Sequence, residues 1–310
     1  MVEKLIMTKN KMKKIFTFIL IAFTILSIQS CNRVQDLDRV QDLNRALDIN
    51  IATFNLRMDT PNDGENAWPN RKGMASGLIR FYEMDIIGTQ EGFKHQLDDL
   101  LEQGNYAYVG GGRDDGYDEG EHSAILYKSD KFDVLNKGDF WFSETPEAPG
   151  KGWDATCCNR ICSWAKFKDR KSGVEFFVFN LHYDHQGIEA RKNSSFLLLK
   201  KIKEIAGNET VFATGDFNAT PDAEPIKIIR ESGKLIDSYS VTKQKPYGTI
   251  GTTNSFKLDA PMKNRIDYIW GTPNITGKKY GVLNDMQYGR FPSDHFPVMI
   301  NAVLEKMQSK

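Results

Sequence analysis

The 310-residue sequence has no excess charge of either sign: 41 Lys and Arg balance 41 Asp and Glu. Five of the lysines and one acid fall in residues 1–31, so the remainder carries 36 basic against 40 acidic groups. Non-specific binding to duplex nucleic acid draws most of its affinity from phosphate contacts and leaves a basic footprint on the protein. That footprint is missing in bulk, which argues against a genomic-DNA nuclease and leaves only a local basic patch for nucleic acid. Cysteine is scarce as well. The four present, Cys31, Cys157, Cys158 and Cys162, lack the spacing and the fourth free ligand that a structural zinc site needs. No apolar run is long enough for a comfortable membrane-spanning helix of roughly 20 residues.

The longest such run, Ile15–Ile28, follows the basic residues Lys11, Lys13 and Lys14 and has the pattern of a signal peptide. It ends at Ile28-Gln29-Ser30-Cys31, where the sequence turns polar at once. This resembles a bacterial lipobox, with Gln29 where a smaller residue is more usual, so Cys31 is expected to carry a lipid. The expectation is an exported, membrane-anchored protein, in preference to an uncleaved anchor or a plain secretory signal. From Arg33 to Asp48 a polar hexapeptide tandem matches neither a heptad nor a solenoid unit and reads as a tether. The division is then a leader over 1–31, a tether over 32–48 and a folded domain over 49–306. With Cys31 lipidated, an odd number of cysteines remains, leaving one free thiol or an intermolecular pair. A bridge from Cys162 to Cys157 or Cys158 is one arrangement, and the sequence does not choose.

The body holds enough apolar material, at 40% hydrophobic residues, for one large core. Residues 50–55, 84–89, 123–127, 174–181, 211–214, 266–270 and 298–303 read as short β runs. Residues 71–82, 93–101 and 188–205 have helical spacing, the last with Phe196, Leu197, Leu199, Ile202 and Ile205 able to face a core. Two packed sheets with helices outside, in one domain, accommodate this mixture.

Acidic, amide and imidazole side chains collect at the predicted C-terminal ends of strands. They fall in Thr-Phe-Asn55, Gln90-Glu91, Asn180-Leu-His182-Tyr-Asp184-His185, Gly-Asp216-Phe-Asn218 and Arg265-Ile-Asp267, with Ser293-Asp294-His295 ahead of the last strand. Each alone has a plain explanation: a capping acid, a satisfied core histidine, an Asx-turn. Together they mean something else. Carboxylates converging from different strand ends repel and desolvate one another unless a cation or proton offsets the cost, and a hard divalent ion with oxygen ligands is the simplest offset.

The order of these motifs resembles the endonuclease/exonuclease/phosphatase superfamily, the DNase-I-like fold, over nearly everything from Ile49 to Leu304. The resemblance implies a four-layer α/β/β/α sandwich and a Mg²⁺-dependent phosphoric ester hydrolase, with Mn²⁺ as the alternative ion. It implies that Asn55, Glu91 and Asp294 serve the metal, and that Asp216 orients or deprotonates the attacking water while Asn218 holds phosphate or water. His295 would contact the scissile phosphate with its ring held by Asp267. His182 matches the DNase and sphingomyelinase branches. Apurinic endonucleases carry tyrosine there and an acid at the position of Arg57, so both residues argue against abasic-site repair.

Other segments carry weaker signals. Arg160 and Arg191 could each present a bidentate fork to a phosphate, or be surface ion pairs. Asp184 and His185 are placed to support His182 or line the cleft, and Asn254 lies in a loop where family members contact substrate. Trp141–Pro146 and Gly152–Asp154 resemble a cleft feature of bacterial members. The glycine-rich stretch 110–116 reads as a mobile loop, since no helix start follows it to make a phosphate cradle; Tyr117, Glu119 and Glu121 beside it are able to reach the cleft. The expected substrate is a small or lipid-linked phosphoester, mono- or diester, acted on by a monomer. Degradation of external nucleic acid is the alternative, and a non-catalytic surface-binding lipoprotein ranks last because the metal set is undamaged.

Overall fold

A computed structural model describes residues 46–102 and 104–305, together with Met7. The chain divides into two units, Met1–Ala46 and a compact body, Leu47–Lys310. Apart from Met7, the leader lies outside the described residues, as do Cys31 and most of the tether. Among those described, no helix is long and apolar enough to cross a membrane. The first strand, β1, runs Ala46–Asn55, so residues 46–48, placed in the tether for their polarity, are the start of the sheet. Leu47, within that segment, is buried.

Two six-stranded sheets form the centre. The first contains β1, β2 (Ile86–Gln90), β3 (Tyr106–Val109), β4 (Ile125–Lys128), β11 (Thr276–Val282) and β12 (Val298–Glu305), in the order β11-β12-β1-β2-β4-β3. The second contains β5 (Phe132–Trp141), β6 (Ile161–Asp169), β7 (Glu175–His182), β8 (Val211–Asp216), β9 (Ile236–Asp237) and β10 (Asp267–Gly271), in the order β5-β6-β7-β8-β10-β9. Both are mixed: β1 pairs parallel with β2 and β7 with β8, whereas pairs such as β2 with β4, β6 with β7 and β8 with β10 are antiparallel.

Period-two side-chain alternation explains why the sheets stack. In β7, Phe176 and Val178 enter the core between the sheets, whereas Phe177, Phe179 and Leu181 face the opposite way. In β1, Ile49 and Ile51 point inward while Ala52 and Phe54 point outward. Each sheet is therefore apolar on both faces and needs cover on its outer one. Helices α1 (Trp68–Phe81) and α2 (Lys94–Leu101) bury Trp68, Ala75, Leu97 and Leu100 with the outer residues of the first sheet. Helices α3 (Ile188–Ile205) and α4 (Glu224–Glu231) do the same for the second with Leu198, Ile202, Ile226 and Ile229; a four-residue α5 (Ser238–Val241) follows β9. The layers are α/β/β/α.

Helix α3 has the bounds its spacing predicts, but its buried face is rotated. Leu198 is buried and Phe196 is 53% exposed, because Ala190, Ser194 and Ser195 set the face that meets the sheet. The glycine-rich stretch is pinned: Gly112 N–H donates to Tyr117 O at 2.8 Å and Arg113 N–H to Glu121 O at 2.9 Å. Where the sheets close on each other, the apolar core gives way to a polar knot. Asn180 Oδ1 accepts from Gln90 Nε2 at 2.7 Å and Thr214 Oγ1 at 3.1 Å, while its Nδ2 donates to Thr89 O and Ala124 O. Gly88 makes room for it, since a Cβ there would lie 2.2 Å from Thr214 Oγ1 and 2.3 Å from Asn180 Oδ1.

Candidate active site

Four of the gathered residues sit where a parallel pair ends. In register, Asn55 is opposite Gln90, one residue before Glu91, and His182 is opposite Asp216. Asp267 does not follow that rule. It is the first residue of β10, not the end of a strand, and reaches the same edge because β10 runs antiparallel to β8, setting Asp267 opposite Asp216. A strand start on an antiparallel neighbour is spatially equivalent to a strand end on a parallel one.

Two matched turns present the polar groups. Asn55 Oδ1 accepts from Arg57 N–H at 2.9 Å, and Asp216 Oδ1 from Asn218 N–H at 2.9 Å. In both, the residue two positions on is left-handed: φ is 56° at Arg57 and 47° at Asn218; Glu91 also lies there, at 62°. Non-glycine residues persist in that region only where their surroundings hold them. The Asx-turn and the site are thus one feature.

The resulting geometry links the acids. Asn55 Nδ2 donates to Glu91 Oε1 at 2.9 Å and Asp216 Oδ2 at 3.2 Å. Its oxygen is held by Arg57 N–H, so here Asn55 joins the two carboxylates through nitrogen and does not turn an oxygen toward them. Asn218 Nδ2 lies 3.1 Å from His182 Nε2 and donates to Tyr183 O. His295 Nδ1 faces Asp267 Oδ2 at 3.0 Å, and Thr252 Oγ1 donates to the same oxygen at 2.5 Å. His295 Nε2 points to Asp216 Oδ2 at 3.9 Å. Arg57 lies between Glu91 and Asp294, 4.0 Å from each carboxylate, and pairs with Asp63 at 3.0 Å.

These groups line a cavity of about 420 Å³ with Met58, Arg113, Glu121, Cys157, Cys158, Arg160 and His185. Arg160, 5% exposed, directs Nη2 to His185 Nδ1 at 2.8 Å and lies 3.7 Å from Asp184. Asp184 is buried; its Oδ1 accepts the Gln186 and Gly187 N–H groups, so it buttresses Arg160 from behind. Arg191 donates to the Asp184 carbonyl at 3.0 Å and does not line the cavity. Asn254 is also away from the cavity: fully buried, it donates from N–H to Asp294 O and from Nδ2 to Ser293 O. That loop reads as substrate-facing in sequence, but its amide is spent on shaping the Ser293–His295 turn. Asp294 lies beside Arg57, set back from the cavity wall.

Of the residues after the glycine-rich stretch, Glu121 lines the cavity and Tyr117 and Glu119 do not. Arg113 carries no motif and is found only through the pinned loop, which pairs it with Glu121 at 2.6 Å. Among the cysteines, Cys157 bonds its neighbour Cys158, and Cys162 is a free buried thiol. Bridging to Cys162 is excluded because that side chain points into the core shared with α3.

Burial, and charge crowding after it, shift the site's ionisation. Burial, then Asp267, lifts Asp216 to about 7. Burial likewise raises Asp294, and it lowers His182 well below the usual imidazole range with help from Arg160 and Arg113. For His295 burial acts downward, but Asp267 overcomes it through charge and hydrogen bond, so the ring is held well above the ordinary value and stays protonated. At neutral pH the site sets a neutral His182 beside a cationic His295.

The donor set fits a hard divalent cation. Ligand atoms of Glu91, His182 and Asp216 lie within 4.8 Å of one another, and the raised Asp216 is what burial among uncompensated carboxylates, Asp267 and then Glu91, produces. A second grouping, Asp216, Asp267 and His295, is equally close, but Asp267 and His295 are committed to each other.

Comparison with known proteins is decisive for the family. The Endonuclease/Exonuclease/phosphatase family profile matches residues 52–295. The chain belongs to that family. It is similar to an endonuclease/exonuclease/phosphatase family protein from Bacteroides thetaiotaomicron: TM-score 0.81, 42% identity, covering 84% of this chain and 99% of that one. It is similar to a mannosyl-6-phosphatase of the same organism: TM-score 0.79, 42% identity, covering 83% of this chain and 100% of the other. A CCR4-Not complex 3'-5'-exoribonuclease subunit from Aspergillus niger is 24% identical over 74% of this chain but only 46% of its own length. The fold is the DNase-I-like sandwich, and the chain is a phosphoesterase- or nuclease-type hydrolase.

Proposed function

We propose that this chain is a Mg²⁺-dependent phosphatase that removes a terminal phosphate from a small polyhydroxyl alcohol, a sugar phosphate above all. The observation that carries it is the cationic wall of a small cavity: Arg57, Arg113 and Arg160 face the same space as the protonated His295. A terminal phosphate bears a second negative charge that a diester lacks, and guanidinium forks suit its free oxygens. The similarity to a mannosyl-6-phosphatase over the whole of that solved chain supports the same reading. Near-zero net charge and a small cavity disfavour a polymeric substrate.

Glu91 and Asp216, with His182 beside them, would hold the cation. When bound it would withdraw charge from a phosphoryl oxygen and relieve the carboxylate crowding. With the cation bound, Asp216 would orient the attacking water, and its free carboxylate oxygen would take the proton. Asn218 and neutral His182 position that water, and His295 donates Nε2–H to a phosphoryl oxygen as charge builds there. Arg160 grips the phosphate, with Asp184 and His185 setting its direction. Export and lipid attachment at Cys31, with action as a monomer, belong to the same proposal; loss of radiolabelled palmitate in Cys31→Ala is the corresponding check.

The test is release of phosphate from a hexose 6-phosphate compared with bis-p-nitrophenyl phosphate and a single-stranded oligonucleotide, each with Mg²⁺, Mn²⁺ or chelator, beside Asp216→Asn. Metal-dependent turnover of the sugar phosphate, abolished by that substitution, is expected. Preference for bis-p-nitrophenyl phosphate would make the enzyme a diesterase, and preference for the oligonucleotide would restore the nuclease reading.

A further inference from the structure

The cavity is not uniformly polar. Of its thirteen lining residues, ten are charged or polar, and the remaining three all present sulfur: Met58, Cys157 and Cys158. The two cysteines are joined to each other, which closes a ring through their shared peptide and stiffens it. Cys157 is exposed and Cys158 half-buried, so the bond faces the cavity rather than the core.

The loop that carries them is held from both sides. Asp154 accepts the N–H groups of Glu189 at 3.1 Å and Ala190 at 2.7 Å, tying the loop to the first turn of α3. Thr156 Oγ1 donates to Gln186 at 2.6 Å, and Asn159 Nδ2 to Asp114 at 3.2 Å on the pinned glycine-rich loop. Phe142 N–H donates to Arg160 O at 2.8 Å. The disulfide is thus a fixed surface beside the phosphate-gripping Arg160.

A disulfide offers no strong hydrogen-bond donor and only weak acceptors, but it is polarisable. Against a charged lining it is the place for an apolar face, gained through many small dispersion contacts. We propose that the Cys157–Cys158 disulfide is the wall on which the ring of the substrate alcohol stacks through its C–H face, and that reducing it weakens binding of ring-bearing substrates without harming the chemistry. The proposal rests on the phosphatase reading and adds to it the element that selects the alcohol. Reduction by a dithiol breaks the S–S bond, forms two thiols and converts the reductant to its cyclic disulfide. The two side chains then rotate independently, and the wall loses its shape.

The experiment uses the purified full chain in three forms: as isolated, reduced by dithiothreitol and exchanged anaerobically, and as Cys157→Ser/Cys158→Ser. Alkylation and peptide mapping establish the state of the pair in each. For a hexose 6-phosphate, the reduced and serine forms should raise KM about fivefold while kcat stays within about twofold. Glycerol 3-phosphate, which has no ring, should show KM within about twofold across all three. An unchanged hexose KM overturns the proposal, as does an equal rise for both substrates. If no ester is hydrolysed by any form, the phosphatase reading fails by itself. Calorimetric titration with the hexose 6-phosphate then decides the wall, and equal or absent affinities in oxidised and reduced protein overturn it.

Discussion

His295 Nδ1 stands 3.0 Å from Asp267 Oδ2, and among the described residues neither group has another ion partner as close. They lie 28 residues apart in the chain, Asp267 as the first residue of β10 and His295 in the turn before β12. The carboxylate fixes the ring so that Nδ1 is protonated and Nε2 faces the cavity. It also holds the ring's pKa above its ordinary value. A cation with a raised pKa stays charged below that value and loses its charge as pH climbs through it.

Asp267→Asn should therefore cost about 100-fold in kcat, roughly 2.7 kcal/mol of transition-state stabilisation. It should also move the alkaline limb of the kcat profile to lower pH, because the imidazolium loses the charge that sustains it. A pH–rate profile of both proteins decides the matter. An unmoved alkaline limb would mean that His295 does not act as a cation.

How much of this could be seen without coordinates depends on whether the determinant is local. Strand cores such as 174–181 and helix α3 are legible because alternation and helical periodicity are properties of neighbouring residues. Asn55, Glu91, His182, Asp216 and His295 are legible because their turns are encoded by the residues beside them. Arg113 is not: it sits among glycines and aspartates, and only the pairing of Gly112 and Arg113 with residues 117–121 turns it into the cavity. Asn254 misleads for the opposite reason, since a polar residue in a loop looks available until Ser293 and Asp294 are seen to consume its amide. The disulfide is also hidden, because two adjacent cysteines look like candidates for distant partners.

Glu121 offers a second pH test that bears on stability rather than rate. Burial, partly countered by Arg113, raises its carboxyl to about 7 from an ordinary 4.5. For an acid raised on folding, the stabilising contribution is present below the unfolded value and is lost as pH rises through the folded one. Between about pH 4.5 and 7 the wild type should lose up to about 3 kcal/mol relative to Glu121→Gln, which keeps an acceptor for Arg113. Thermal melts of both proteins across pH 4 to 8 should diverge with rising pH, with the glutamine form gaining on the wild type. Parallel curves would mean that water reaches Glu121 more freely than its burial implies.

Gly88 carries the third prediction. Its place in β2 is opposite Thr53 in the parallel pair with β1, and it faces the second sheet, where Asn180 and Thr214 occupy the space a side chain would need. Neither neighbour can retreat cheaply. Asn180 makes four side-chain hydrogen bonds, three across to Gln90, Thr89 and Ala124 and one with Thr214 Oγ1 in its own sheet. A methyl group at position 88 would have to push the sheets apart or break that knot, leaving buried amide groups unpaired. Gly88→Ala should destabilise by about 3 kcal/mol through overpacking and lost hydrogen bonds. The double variant Gly88→Ala/Thr214→Ser tests the cause, because serine keeps the hydroxyl and removes only the methyl. If the clash is with the hydroxyl itself, as the 2.2 Å approach indicates, serine should restore little of the loss. Thr214→Ala in the same background should restore more, and urea melts of the set would separate the two. Full recovery with serine would show that the strain lies with the threonine methyl and that the polar knot survives the added carbon.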